Sequence, residues 1–169
     1  GAPRLFENGG FFTPDRRARF VPVSPRAPVN ATNRDYPFAL NTGRVRDQWH
    51  TMTRTARSPR LNLHMFEPCA EFHPEDARRQ GLDNGALVRL SSAYGAMVAR
   101  VAVTPEQRRG CVFVPMHWSG EYAGEARVNA LVNPVTDPIS GQPELKHTPV
   151  QAEPYLPKWH AFILSRREI

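Results

Sequence analysis

Two cysteines, Cys69 and Cys111, are the only thiols in a chain of 169 residues. They stand far apart, form no CxxC pair, and by themselves cannot build a zinc or iron–sulfur site. They read as isolated thiols, and nothing in their spacing demands a disulfide. No apolar run is long enough to cross a bilayer as a helix. The first residues lack the basic-then-apolar pattern of a signal peptide, and GAPRLFENGG reads as the interior of a longer protein. Catalytic signatures are missing as well: no GxSxG elbow, HExxH, Walker loop, or GxGxxG after a strand. The histidines at 50, 64, 73, 117, 147 and 160 show no helical metal-ligand spacing, so no metal site is expected. Glu67, Glu71, Glu75 and Asp76 form a local acidic cluster, which reads as a solvated helix face rather than an acid–base pair. These absences describe a chain that binds something rather than one that transforms it.

Lysine is nearly absent too. The 22 basic residues, set against 16 acidic ones, are all arginine except Lys146 and Lys158. The resulting charge of +6 favours an anionic partner: nucleic acid, an acidic surface, or a phosphate-bearing ligand. Arginine offers phosphate a planar fork of donors that lysine lacks. Its placement is informative, since Arg44, Arg46, Arg54, Arg57 and Arg60 crowd one stretch with only Asp47 opposing them. Seventeen prolines argue against long helices and for short strands joined by ordered loops.

The length suits one domain. Residues 1–36, rich in proline and arginine, read as a leading segment or linker packed on the domain, with ARFVPV (18–23) as an edge strand. Residues 37–169 read as the domain itself. PFALNT (37–42) is a buried strand cut off by Gly43. AEFHPEDARRQGL (70–82) holds a short helix: Pro74 stands at its first position, Glu75 and Asp76 suit its positive end, and Gly81 stops it. ALVRLSS and AMVARVAV flank AYG as a β-hairpin. CVFV (111–114) is a strand stopped by Pro115. ARVNALV (126–132) contains a helical turn, and NPVTDPISGQPELK (133–146) is an ordered loop shaped by its prolines and glycine. TPVQAEP and HAFILSR read as closing strands. The sum is a mostly-β domain with short helices, and several short strands favour a barrel, which leaves no free edge.

The most unusual stretch is NTGRVRDQWHT (41–51). Gly43 permits positive φ and close approach of backbone to a ligand. Exposed N–H groups in such a loop form an anion nest. Arg44 can grip phosphate or carboxylate bidentately, Trp49 can lie against a flat heterocycle, and His50 and Thr51 add directional donors. Diphosphate with a flat ring is the ligand this set suits. On pattern alone, Gly43 turning a corner and Trp49 filling the core is the stronger explanation of these residues. A basic barrel binding single-stranded nucleic acid is the competing reading, although such barrels need aromatics along a charged groove and the strands supply few.

LNTGRVRDQWHTMTRT resembles the molybdopterin-dinucleotide-binding C-terminal domain of molybdenum oxidoreductases, the bacterial assimilatory nitrate reductases most of all. HPEDARRQGLDNGALVRLSSAYG, VFVPMHW and DPISGQPELKHTPV are similar to further segments of that family, in the same order. The resemblance implies a double-psi β-barrel at the end of a larger enzyme, a cytoplasmic location, and a bis(molybdopterin guanine dinucleotide) cofactor carrying molybdenum. It implies that Thr42, Gly43, Arg44, Val45, Arg46, Asp47, Gln48, Trp49, His50 and Thr51 form a cofactor-binding loop, the middle three being its variable part. Asn129 corresponds to a pterin-contacting asparagine, Lys146 to a lysine near the dinucleotide, and Trp118 to a residue approaching the substrate pocket. The molybdenum-ligating side chain and an iron–sulfur cluster belong to earlier domains. The expected partners are therefore the preceding domains of the same polypeptide and the phosphate-bearing cofactor, with neither nucleic acid nor membrane, and a monomeric isolated domain without activity of its own. A formate dehydrogenase or another molybdopterin oxidoreductase is the alternative within the family.

Overall fold

Alternation along each strand builds the core. In the computed structural model, which describes residues 4–159 and 161, β1 (Phe38–Gly43) turns Phe38, Leu40 and Thr42 inward and exposes Asn41. β2 (Cys69–Phe72) buries Ala70 and Phe72, and β3 (Leu87–Ser91) buries Val88 and Leu90. β4 (Ala96–Val103) buries Met97, Ala99 and Val101, β5 (Cys111–Pro115) Val112 and Val114, and β6 (Thr148–Pro154) Val150 and Ala152. The strands close on themselves in the order β1-β5-β2-β4-β3-β6. All these inward side chains therefore meet in one interior, where each large one contributes on the order of 1.5–3 kcal/mol by leaving water. Phe38 and Phe72 meet there edge to face, 5.8 Å between ring centres.

Two of the pairings are parallel, β1 with β5 and β2 with β4, and the other four are antiparallel. A parallel pair needs a crossover connection, and two such crossovers in a closed six-strand barrel give the double-psi architecture that the resemblance implied. The strand directions then sort the connections between the barrel's ends. β1 and β5 finish, and β2 and β6 begin, at the same end as the β3–β4 turn. Three segments therefore emerge together there: residues 44–68, 92–95 and 116–147. Residues 73–86 and 104–110 close the opposite end.

At that opposite end lies α2 (Pro74–Gln80), the longer of two short helices, α1 being Pro59–Asn62. His73 caps α2 by accepting the Glu75 N–H at Nδ1, 3.1 Å away, and Gly81 ends it with φ 65°, a left-handed conformation natural to glycine. The acidic cluster does not behave as a solvated helix face. Asp76 is buried and accepts the Gly110 N–H at 2.6 Å, fastening α2 to the turn before β5. Glu67 pairs with Arg100 on β4 at 2.5 Å.

The hairpin, the Cys111 strand, the Thr148–Pro154 strand and the turn at Val128–Ala130 stand as the sequence suggests. Residues 18–23 do not form an edge strand. They are exposed and pair with nothing, because the barrel is already closed and offers no edge. HAFILSR falls almost wholly outside the described residues. Replacing Asp76 by Ala should strand the Gly110 N–H and destabilise the chain by about 1–3 kcal/mol, measured by urea unfolding; an unchanged midpoint would show that this tie carries no stability.

Candidate functional site

The site starts where β1 ends. Gly43 is not in the left-handed region, so its role is not conformational. It provides space: a Cβ there would sit 2.9 Å from Cε2 of Phe113 and 3.7 Å from Nζ of Lys146. Lys146 donates to the Thr42 carbonyl, and the buried Thr42 hydroxyl donates to the Leu145 carbonyl at 3.0 Å. The end of β1 and the segment leading into β6 are thus stitched together, with an exposed ammonium beside the start of the arginine loop.

Within the loop the side chains divide. The Arg44 guanidinium lies over the Trp49 ring, 4.7 Å from its centre, and the His50 ring meets Trp49 edge-on at 4.5 Å. Trp49 is 53% exposed, so it does not fill the core; it presents a flat face backed by a cation. Arg46 and Asp47 bond through two contacts of 2.9 and 3.0 Å, and His64 lies 3.1 Å from Asp47. The bond from Arg46 holds the Asp47 carboxyl below the usual carboxylate range. Gln48 is buried; its amide donates to Asn62 at 2.8 Å and its carbonyl accepts from Thr55 at 2.6 Å. Its side chain is spent anchoring the loop to the short helical stretch that follows. Thr51 is exposed. The N–H groups of Arg44, Arg46 and Asp47 find no acceptor among the described residues, whereas that of Gln48 faces back across the turn at 46–47 and the Trp49 N–H reaches Thr55 Oγ1 at 3.3 Å.

Val45 is different. Its N–H bonds at 2.9 Å to Nε2 of His117, a fully buried histidine whose Nδ1 lies 2.7 Å from the His50 carbonyl. Burial pushes the His117 pKa down. Trp118 is buried beside it at the same end of the barrel.

Asn129 is exposed on the 3₁₀ turn Val128–Ala130. That turn is pinned to the hairpin: the Ser92 hydroxyl donates to the Leu131 carbonyl at 2.8 Å, and a Cβ on Gly95 would come within 2.4 Å of the Ala130 oxygen. A cavity of about 280 Å³ opens next to it, lined by Arg89, Val98, Glu125, Arg127 and Ala130 among others. The structure therefore joins Thr42–Thr51 directly to Lys146. Asn129 shares their end of the barrel without a hydrogen bond to either.

Two features escaped the sequence reading. His117 was visible only as one histidine among several, in a segment valued for Trp118. Asn133 looked like a loop residue, but it is buried and bonds to Glu144 and to the His147 carbonyl at 3.2 and 3.1 Å, organising the loop that delivers Lys146. No spacing rule announces either, because both depend on partners far away in sequence. Next to Lys146, Nε2 of His147 is buried with no hydrogen-bond partner among the described residues. Cys69 and Cys111 are free thiols, and the described residues contain no group of three or more His, Cys, Asp or Glu side chains able to hold a metal ion.

One end of the barrel thus gathers unpaired backbone donors, an arginine stacked on an exposed indole and a lysine beside a glycine, groups whose chemistry suits a phosphate-bearing ligand with a flat ring. The profile of the molydopterin dinucleotide binding domain matches residues 38–149. The chain belongs to that family. A nitrate reductase of Klebsiella oxytoca is 48% identical over 155 residues, 92% of this chain and 18% of that protein. The assimilatory nitrate reductase catalytic subunit of Bacillus subtilis is 33% identical, covering 91% of this chain and 21% of its own. The F420-dependent formate dehydrogenase subunit alpha of Methanocaldococcus jannaschii is 34% identical, covering 89% and 22%. This chain thus spans about a fifth of the relatives it matches. Acetylene hydratase from Pelobacter acetylenicus, 20% identical, superposes with a TM-score of 0.61 over 71% of this chain and 18% of its own, a likeness of fold.

Gly43→Ala should push the Phe113 ring out of place and cost about 1–3 kcal/mol in thermal or urea unfolding. An unaltered stability would show that the ring swings aside freely.

Proposed function

We propose that this chain is the cofactor-gripping domain of a molybdenum-dependent nitrate reductase that reduces nitrate to nitrite in the cytoplasm. The observation that carries the reading is the contact of Lys146 with the end of β1, which joins the arginine loop to a segment 104 positions further along in a chain of this family. The fit to a bis(molybdopterin guanine dinucleotide) rests on the chemistry of the donors. Lys146 and Arg44 supply positive charge for a diphosphate. The free N–H groups of Arg44, Arg46 and Asp47 supply neutral donors, and Trp49 offers a face for a planar heterocycle. The orphaned His147 nitrogen fits a partner outside the barrel, and Asn129 is the candidate for the pterin end.

Bound, the molybdenum cofactor supplies the two-electron chemistry that takes nitrate, with two protons, to nitrite and water. The protein groups named here bind and orient. Arg44 holds phosphate charge, and its stack on Trp49 limits where that charge can sit. Trp118 is the candidate for the approach to the substrate pocket.

The rest of the polypeptide is the expected partner. The segment ahead of the barrel exposes Phe12 by 86% and Phe20 by 97%, apolar surface too large to leave in water comfortably. Preceding domains that enclose the cofactor would cover it and would carry the molybdenum ligand and an iron–sulfur cluster. Relatives named formate dehydrogenases, at 34% identity, support the second reading, the same domain in an enzyme acting on formate. The higher identity to nitrate reductase favours nitrate. Single-stranded nucleic acid is disfavoured, since the strand aromatics Phe38 and Phe72 face the core and only the half-buried Phe113 of β5 lies outside it among the described strands, too few for a stacking groove.

In the complete parent enzyme, Lys146→Ala and Arg44→Ala should each weaken cofactor retention about tenfold or more, the loss expected for one charge-assisted bond. Dinucleotide content per polypeptide after dialysis reads this out, and full retention in both variants would refute the grip. The 169-residue chain alone should reduce no nitrate; turnover by a metal-checked preparation of it would refute the division of labour.

A further inference from the structure

His117 follows Met116 just beyond β5, and among the described residues its ring is the one side chain that bonds to both shoulders of the arginine loop. Nε2 meets the Val45 N–H at 2.9 Å and Nδ1 meets the His50 carbonyl at 2.7 Å. An amide N–H can only donate and a carbonyl can only accept. Both bonds therefore hold only if Nε2 is bare and Nδ1 carries the proton, which means a neutral ring in one tautomer. A second proton on Nε2 would set donor against donor and release Val45. Burial also opposes the charged ring; the bond to the His50 carbonyl offsets part of that, and the charges of Arg44 and His50 in the loop oppose the charged ring further, so the balance favours the neutral form.

Val45 and His50 bracket Arg46, Asp47, Gln48 and Trp49. Fixing both brackets through one rigid ring fixes the span between them. His50 has φ 44° and Met52 has φ 62°, left-handed conformations that residues other than glycine keep only when their surroundings impose them. The bond to the His50 carbonyl is such an imposition. The bond to Val45 also takes that N–H away from any ligand and leaves the donors of Arg44, Arg46 and Asp47 for it.

We infer that His117 is the positioning residue of this loop, and that it holds the loop in shape for an anionic ligand only as the neutral, Nδ1-protonated imidazole. The ligand part of this inference rests on the proposed cofactor grip; the hold on the loop does not. Because the folded chain disfavours the charged ring, the stabilisation from His117 is complete above the ordinary histidine range near about pH 6.5 and falls away as the pH drops through it.

The ¹⁵N spectrum of histidine-labelled chain reads the ring directly. At neutral pH one ring, assigned by its absence in His117→Gln, should show a protonated Nδ1 and a bare Nε2 that persist below the ordinary histidine value of about 6.5. An Nε2-protonated ring, or protonation of this ring at or above about pH 6.5, would overturn the inference. Amide hydrogen exchange supplies the second readout. His117→Leu should speed exchange at Val45 roughly tenfold while leaving β4 amides such as Val101 unchanged, and His117→Gln, which retains one acceptor and one donor, should restore part of the protection. Equal acceleration throughout the barrel would make His117 a core residue only and sink the inference, as would no change at Val45. If His117→Leu fails to fold, the tautomer measured on the unsubstituted chain decides. The stability advantage of the unsubstituted chain over His117→Gln should shrink as pH falls below about 6.5; a pH-independent difference counts against the neutral ring. A loosened loop with undiminished cofactor content in the parent enzyme would refute the loop as the grip and leave the hold of His117 standing. An unloosened loop would do the reverse.

Discussion

The parallel pairing of β1 with β5 is the constraint on which the rest of this molecule depends. Its register sets Gly43 against Pro115, and the Met116 N–H completes the ladder by bonding to the Gly43 carbonyl. The residues following each strand are therefore side by side. One continuation becomes the arginine loop and the other delivers His117 and Trp118. A slip of one residue would turn every inward side chain of β1 outward, so the register that buries Phe38, Leu40 and Thr42 also sets where the loop begins. The same packing that closes the core aims the site.

Closure has a second consequence. A closed barrel has no edges to pair with other strands, so its functional contacts must come from its ends. The long connections 44–68 and 116–147 and the Ser92–Gly95 turn share one end. Within it, charge is distributed unevenly. Arg46 is neutralised by Asp47, whereas Arg44 rests on an indole and Lys146 on a backbone carbonyl, neither of which cancels a positive charge. The excess of arginine over the whole chain says little about where an anion sits; these two local environments say more.

Much of the fold was legible in particular residues. Alternation in AMVARVAV marks a half-buried strand, Pro74 and Gly81 mark the start and stop of α2, and SSAYG marks the turn, because these features act through neighbours a few positions away. Asp76 shows the limit. Its place in the first turn of a helix suggested solvation, but the turn before β5 comes down on it and converts it into a buried acceptor. Residues 18–23 failed for a similar reason: their strand-like pattern is local, and whether a strand has a partner is not. In the loop, the positive φ expected of Gly43 is not what requires glycine there; the Phe113 ring that crowds out a side chain comes from another strand.

The residues themselves determined the strands, the short capped helix, the positive charge and, by resemblance, the family and its dinucleotide ligand, because those depend on composition, short-range spacing and the order of motifs. The tertiary structure alone decided that Trp49 faces outward beneath Arg44, that Gln48 turns inward, that Lys146 meets Thr42, and that His117 spans the loop from Val45 to His50. Each of these joins side chains or backbone groups that only the crossing connections of a closed barrel bring within bonding distance.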